Sequence, residues 1–222
     1  TVNILTTARE EKAEKVIQTS TSEVYGTAQY VPIDERHPKQ PQSPYSASKI
    51  AADAIALSFY YSFNLPVTII RPFNTYGPRQ SDRAVIPTLI SQALVKEKIL
   101  MGSTTPTRDF NFVSDTVEGF IKIVESENSI GEEINIGSGF EISIGDLAEK
   151  IIFFLGKEVK LIKDEKRERP EKSEVERLLA DNSKARKLLG WSPRVNIDTG
   201  LKKTIEWIKE HPDFYRPDTY NV

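Results

Sequence analysis

The run Val67-Thr68-Ile69-Ile70 shows no alternation of apolar and polar side chains. A strand of that kind is covered on both faces, as in a parallel sheet packed between helices. A second β-branched run, Lys15-Val16-Ile17-Gln18-Thr19-Ser20, precedes it, and a stretch of helical period (44–63) lies between the two. Strand, helix and strand in that order close as a right-handed crossover, which brings both carboxyl ends to one edge of the sheet. Those ends carry polar clusters: Thr21, Ser22, Glu23 and Tyr25 before Gly26, and Arg71-Pro72-Phe73-Asn74-Thr75-Tyr76-Gly77-Pro78-Arg79. Ligands of open α/β sheets bind at such ends, so one shared crevice is expected.

The intervening helix carries further chemistry. Pro44 suits a first helical position, Ser43 can cap the free amides, and Ile50, Ala51, Ala54, Leu57 and Tyr61 form the expected apolar stripe. Residues four apart share a helix face, so the Tyr45 phenol and the Lys49 ammonium project the same way. A cation beside a phenol favours the phenolate, which suits proton exchange with a substrate alcohol. With eight tyrosines in the chain, the spacing alone fits a surface coincidence equally well. The Thr21–Tyr25 cluster upstream shifts the balance toward chemistry.

Residues 1–12 read as the tail of a helix with Ile4, Leu5 and Ala8 on one face; no cap or methionine precedes it, so the chain is expected to begin inside a domain. Beyond Arg79 the pattern predicts a helix over 84–96, a short strand at 99–101 and, after the segment Thr107-Arg108-Asp109-Phe110 and Phe112-Val113, a helix capped by Ser114. A strand at 133–136 follows, closed by Gly137-Ser138-Gly139, then a helix 144–155 capped by Ser143 and a strand 159–162. Two amphipathic helices come last, 183–189, ended by Gly190, and 199–210. The charged segment 163–177 reads as mobile or ligand-dependent.

Composition narrows the function. A net charge of −2 gives no electrostatic case for nucleic acid or an anionic membrane. The absence of cysteine removes disulfides, thiolate catalysis and cysteine metal sites. His37 and His211 both stand beside prolines and read as solvated loop residues, so no metal site is expected. No run approaches the length of a membrane span and no signal-peptide pattern opens the sequence, so the expected setting is a soluble protein of the cytoplasm.

Taken together, Ser20-Thr21-Ser22-Glu23-Val24-Tyr25-Gly26, Tyr45-Ser46-Ala47-Ser48-Lys49, the segment 71–79, Thr107-Arg108-Asp109-Phe110, Val113-Ser114-Asp115, Asn135-Ile136-Gly137-Ser138-Gly139 and Leu188-Leu189-Gly190-Trp191 resemble one family in order. It is the extended short-chain dehydrogenase/reductases that modify nucleotide-activated sugars. The resemblance implies an α/β fold: a Rossmann-like doubly wound parallel sheet, its N-terminal half outside this sequence, with a smaller C-terminal α/β substrate-binding lobe. It assigns 1–76 to the Rossmann half, 77–106 to the lobe, 107–140 to the Rossmann half again and 141–222 to the lobe. Thr21, Tyr45 and Lys49 match the catalytic triad, Glu23 the base for the C5 proton, and Ser22 the place where many hexose dehydratases carry an acidic aspartate. Thr19, Pro72, Tyr45 and Lys49 match cofactor contacts, and Asn74, Arg83, Arg108 and Arg169 match contacts to sugar and diphosphate, for which guanidinium groups are well suited.

What the resemblance implies is an NAD-dependent 4,6-dehydratase: oxidation at C4, elimination of water across C5–C6 and hydride return to C6. The Ser-Glu pair is similar to that of GDP-mannose-type dehydratases and of UDP-glucuronate decarboxylases, and segments 20–31, 79–81 and 169–174 look most like dehydratases of the legionaminic-acid pathway type. A 4-epimerase, a UDP-glucuronate decarboxylase, a non-catalytic sugar-nucleotide-binding fragment and a classical reductase of small carbonyls remain open. So do plainer readings of single residues: Glu23 as a solvated carboxylate, Arg108 or Arg169 as a surface ion pair, Asn74 as a turn cap. The glycine-rich turn that cradles a dinucleotide pyrophosphate is not in this sequence, and Gly137-Ser138-Gly139 does not supply it. The fragment alone is expected to be poorly active. Homodimerisation is expected through the helix at 51–63, with the helix at 84–96 as second candidate.

Overall fold

The computed structural model describes residues 1–168 and 170–217. In chain order the elements are α1 (Val2–Glu10), β1 (Val16–Thr19), α2 (Pro44–Phe63), β2 (Val67–Pro72), β3 (Asn74–Tyr76), α3 (Val85–Val95), β4 (Lys98–Met101), β5 (Thr107–Phe112), α4 (Val113–Glu125), β6 (Glu133–Ile136), β7 (Glu141–Ser143), α5 (Ile144–Leu155), β8 (Lys160–Lys163), α6 (Ser183–Leu189) and α7 (Ile197–Glu210).

The unbroken run of β2 lies at the centre of a parallel sheet ordered β1-β2-β6. Successive strand residues face opposite sides. Val16 and Val67 pack with Leu5, Ala56 and Leu65, whereas Ile17, Ile70, Ile134 and Ile136 pack with Ile123, Ala185, Leu189 and Trp191. Helices α1 and α2 therefore cover one face and α4 and α6 the other, the doubly wound arrangement. Each Val, Ile or Leu so buried contributes about 1.5–3 kcal/mol. Segment 183–191, assigned above to the C-terminal lobe, packs in this cluster.

The lobe is built from a sheet ordered β3-β5-β7 and a parallel pair β4-β8. Around them α3, α5 and α7 bury the largest cluster, including Tyr76, Ile86, Leu89, Phe112, Leu147, Ile151 and Leu201. Only Phe73 separates β2 from Asn74, so β3 carries the chain from the first sheet into the lobe.

Several expectations are corrected. In α2 the buried residues are Ser46, Ala52, Asp53 and Ala56; Ile50 and Leu57 are half-buried, and Ala51, Ala54 and Tyr61 are exposed. In α1 only Leu5 is buried and Ile4 points outward. Helix α4 starts one residue before Ser114, with Phe112 at the cap position and no side-chain cap. His37 is buried: Nε2 accepts from the Gln29 amide at 2.9 Å and Nδ1 pairs with Pro38 O at 2.9 Å, so the ring serves loop backbone that would otherwise lack partners. His211 stacks on Trp207 with ring centroids 3.6 Å apart.

The end of the charged segment and the residues that follow it are anchored on both sides. Val175, Leu178 and Ala180 are buried, Thr107 N donates to Glu176 O (2.9 Å), Ala28 N to Arg177 O (3.2 Å) and Ile33 N to Leu179 O (2.7 Å). Residues 170–180 thus form a strap that joins the loop after β1 to the edge of β5.

Candidate active site

At the end of β1 the chain turns into a 3-10 segment, Ser22–Tyr25, whose first amide is capped: Thr21 Oγ1 accepts from Glu23 N at 3.2 Å. One lone pair of that hydroxyl is thereby committed, and its proton is available to a ligand oxygen. Gly26, at φ +63°, ends the turn where an added Cβ would lie 2.7 Å from Gln40 O.

Helix α2 begins as expected. Pro44 opens it, and Ser43 and Ser46 exchange hydrogen bonds as a capping box (Ser46 N to Ser43 Oγ, 3.1 Å; Ser43 N to Ser46 Oγ, 3.2 Å). The cap fixes the start of the helix and so the placing of Tyr45. Lys49 Nζ lies 5.8 Å from the Tyr45 ring centroid and donates to Thr19 O at 3.1 Å. The tyrosine is half exposed, and among the described residues its hydroxyl has no hydrogen-bond partner.

Two clefts open here and Glu23 lines both. The first, about 520 Å³, runs from Glu23 past Asn74, Arg83 and Arg108 to Leu100, Met101 and Gly102. The second, about 490 Å³, is bounded by Glu23, Gln42, Ser43, Tyr45, Ser173 and Val175. Volumes of this size suit a small-molecule ligand. The Glu23 carboxylate makes no hydrogen bond or ion pair among the described residues. At the clefts' junction it can act as a proton acceptor.

The predicted residues divide accordingly. Glu23 and Tyr45 meet in the second cleft, with Lys49 beside Tyr45; Asn74, Arg83 and Arg108 share the first with Glu23. Asn74 Oδ1 is buried without a partner among the described residues, an acceptor that fits a ligand donor. Arg108 is indeed in an ion pair, Nη2 to Glu174 Oε1 at 3.0 Å, but the pair faces the cleft. Ser22 is buried and lines neither cleft. Thr19 and Pro72 stand at the ends of β1 and β2, on the edge where Lys49 is held. Arg169 lies outside the described residues.

The Lys49 ammonium and the unpartnered Tyr45 hydroxyl form a donor set that fits the ribose end of a nicotinamide dinucleotide. A pyrophosphate does not fit at Gly137-Ser138-Gly139. Asp109 already fills that turn: it accepts from Ser138 N (2.7 Å), Ser138 Oγ (2.6 Å), Gly139 N (2.9 Å) and, across the strap, Ala180 N (3.1 Å). Burial raises the Asp109 carboxyl despite these donors.

Sequence reasoning missed Gln42 and Glu174. Gln42 Oε1 accepts from Thr27 N (2.5 Å), and its Nε2 donates to Lys172 O (3.3 Å) and Glu174 O (3.2 Å), tying the strap to the residue before the α2 cap. Nothing local in a proline-rich loop marks such a residue.

Residues 1–204 match the family model described as GDP-mannose 4,6 dehydratase. The human dTDP-D-glucose 4,6-dehydratase is 36% identical over 94% of this chain, and the chain spans 60% of that protein's length. Among solved structures, a dTDP-glucose 4,6-dehydratase from Bacillus anthracis in complex with NAD is 31% identical, with a TM-score of 0.86 over 97% of this chain and 68% of its own. A UDP-glucuronic acid 4-epimerase from Bacillus cereus, in complex with UDP-glucuronic acid and NAD, is 32% identical, with a TM-score of 0.87 over 93% of this chain and 65% of its own.

Proposed function

The chain belongs to the GDP-mannose 4,6-dehydratase family of extended short-chain dehydrogenase/reductases, and on that premise we propose that the whole protein is an NAD-dependent nucleotide-sugar 4,6-dehydratase acting on an N-acetylhexosamine or hexose nucleotide. The observation that carries the reading is Glu23, an unpaired carboxylate between a cleft lined by Tyr45 and a cleft lined by Asn74 and Arg108. Oxidation at C4 serves epimerases and dehydratases alike, but only an elimination needs a base at C5.

NAD, which is present in related crystal structures, would be held at its ribose by Tyr45 and Lys49 and would supply the hydride acceptor for the sugar C4 and the donor for C6. The chain's own residues do the rest. Tyr45 takes the proton of the 4-hydroxyl. Lys49, held by Thr19 O and 5.8 Å from the Tyr45 ring centroid, has other N–H groups that would serve the ribose and the phenolate. Thr21 donates to the 4-oxygen. A ketone at C4 acidifies C5; Glu23 removes that proton and hands it to the departing C6 oxygen, so that water leaves and the carboxylate is restored. Ser22 lines neither cleft, which favours Glu23 as the source of that proton. Asn74 and Arg83 hold the sugar and Arg108 the diphosphate. The exposed face of α2, with Ala51, Ala54 and Tyr61, supports pairing with a second copy.

A 4-epimerase is the second reading, favoured by the equal likeness to the UDP-glucuronic acid 4-epimerase. Mass spectrometry of products from the whole protein with NAD and UDP-N-acetylglucosamine, or its GDP counterpart, separates the two. Loss of one water without net NADH is the expected result. An unchanged mass with altered sugar configuration makes the protein an epimerase and removes the role given to Glu23.

A further inference from the structure

Among the described residues, the first cleft is lined by four acidic and four basic side chains. A cleft of balanced charge is a poor trap for an anion, and a diphosphate entering it gains most if one of the cleft's own carboxylates gives way. Glu174 is placed to do so. Its Oε1 sits 3.0 Å from Arg108 Nη2, in a pair whose side chains are only 16% and 10% exposed.

We propose that Glu174 is a built-in competitor for the Arg108 anion site, holding the guanidinium until a ligand diphosphate displaces it. The inference rests on the reading of Arg108 as a diphosphate contact. The carboxylate meets the guanidinium at Nη2, while Nη1 donates to Thr107 O at 3.0 Å, and a diphosphate brings more oxygens and more charge to that Nη2 position than one carboxylate does. The exchange requires only a side-chain rotation, because the strap backbone is held independently: Glu174 O accepts from Gln42 Nε2 (3.2 Å), Glu176 N donates to Thr27 Oγ1 (3.1 Å) and Thr107 N donates to Glu176 O (2.9 Å). Ligands with a single phosphate displace Glu174 less readily, so the pair sharpens selection for diphosphates.

The test is calorimetric binding of UDP, GDP and dTDP, and of the matching monophosphates, to the whole protein. In Glu174→Gln the bound diphosphate is expected to be held three- to tenfold tighter, and the monophosphate to gain more, so that discrimination between them narrows. Glu174→Asp, which keeps the charge but shortens the reach, is expected to shift in the same direction by less. In an Arg108→Gln background, Glu174→Gln is expected to change nothing, the coupling that a direct pair requires. Unchanged or weaker binding in E174Q, or a gain that persists without Arg108, overturns the competitor while leaving the diphosphate site intact. No binding of any diphosphate by folded wild-type and E174Q proteins overturns the diphosphate site and the competitor with it.

Discussion

Asp53 on α2 and Arg71 at the end of β2 form an ion pair from which solvent is fully excluded: Oδ2 accepts from Nε at 3.3 Å and from Nη2 at 3.2 Å. The same Oδ2 accepts from Ser20 Oγ (2.8 Å), and Arg71 also reaches Tyr25 OH (2.9 Å) and Glu133 Oε1 (2.5 Å). Ser20 and Tyr25 flank Thr21 and Glu23, and Asp53 lies two turns along α2 from Tyr45. The network therefore ties the two carriers of the site to each other through the floor of the sheet. Breaking a buried pair from one side leaves an uncompensated charge at a cost of about 3–5 kcal/mol. Asp53→Ala is expected to lose about that much in urea unfolding, and Arg71→Ala more, because it takes the guanidinium from two carboxylates and a phenol at once.

The acids of this network respond to pH with opposite sign. Burial raises the Asp53 carboxyl, and Arg71 and Ser20 do not fully offset it. Its folded state binds the proton more readily than the unfolded chain, so its contribution falls as pH rises from about 3.9 through the raised value. Glu133 is also raised by burial, but Arg71 and Lys39 outweigh that and leave it below the usual range. Its contribution is present above about 4.3 and is lost as pH falls through the depressed value. Urea unfolding across pH 2.5–7 is expected to show Asp53→Asn and Glu133→Gln changing the pH slope in opposite directions; equal changes of one sign sink the assignment.

Asp109→Ala removes both acceptor oxygens, Oδ1 from Ser138 N and Oδ2 from Gly139 N and Ala180 N, and leaves these donors unmatched. A buried donor left without an acceptor costs about 1–3 kcal/mol. The variant is expected to lose about 2 kcal/mol or more in global stability and to exchange its Gly139 and Ala180 amides faster than that loss alone requires. Preserved protection at both amides means that the carboxylate does not hold the strap.

The parts legible in the sequence were those whose cause is local. The Val67–Ile70 run, the Ser43-Pro44 start of α2, the Ser143 cap of α5 and the Tyr45–Lys49 spacing depend on neighbours within a turn or a strand, and they appear where expected. The face of α2 was not legible, because small and apolar residues surround the helix and its orientation follows from Asp53 meeting Arg71, eighteen residues on. The strap's anchoring was not legible because Val175, Leu178 and Ala180 stand among charges without period; their burial depends on distant partners at Ile33 and Thr107. His37 failed for the same reason, its partners being loop backbone rather than a periodic element.

Gly200 lies in α7 where an ideal Cβ would approach Tyr76 OH to 2.0 Å and Phe112 Cδ2 to 2.9 Å. Gly200→Ala gains about 1 kcal/mol of helix propensity but forces α7 away from β3 and β5, an overpacking cost of about 1–3 kcal/mol or more. A net loss of about 1–2 kcal/mol is expected in chemical denaturation. A more stable variant means that α7 shifts without resistance.

Glu23→Gln separates the two steps of the proposed reaction. Gln keeps the shape and hydrogen-bonding reach of the side chain but cannot accept the C5 proton, whereas Tyr45 and Lys49, on another element, are untouched. In deuterated buffer, the wild-type whole protein with NAD is expected to give a product that carries solvent deuterium at C5. E23Q is expected to lose that incorporation and the release of water by about 10²–10⁴-fold, the usual range for a general base. Oxidation at C4, read as a transient NADH absorbance in a single turnover, is expected to persist in E23Q. In Tyr45→Phe both signals are expected to fall together. If E23Q instead keeps C5 exchange and water release at the wild-type level, Glu23 is not the base and the elimination must use one outside this turn; if E23Q abolishes the NADH transient together with the exchange, Glu23 acts at the oxidation step rather than after it.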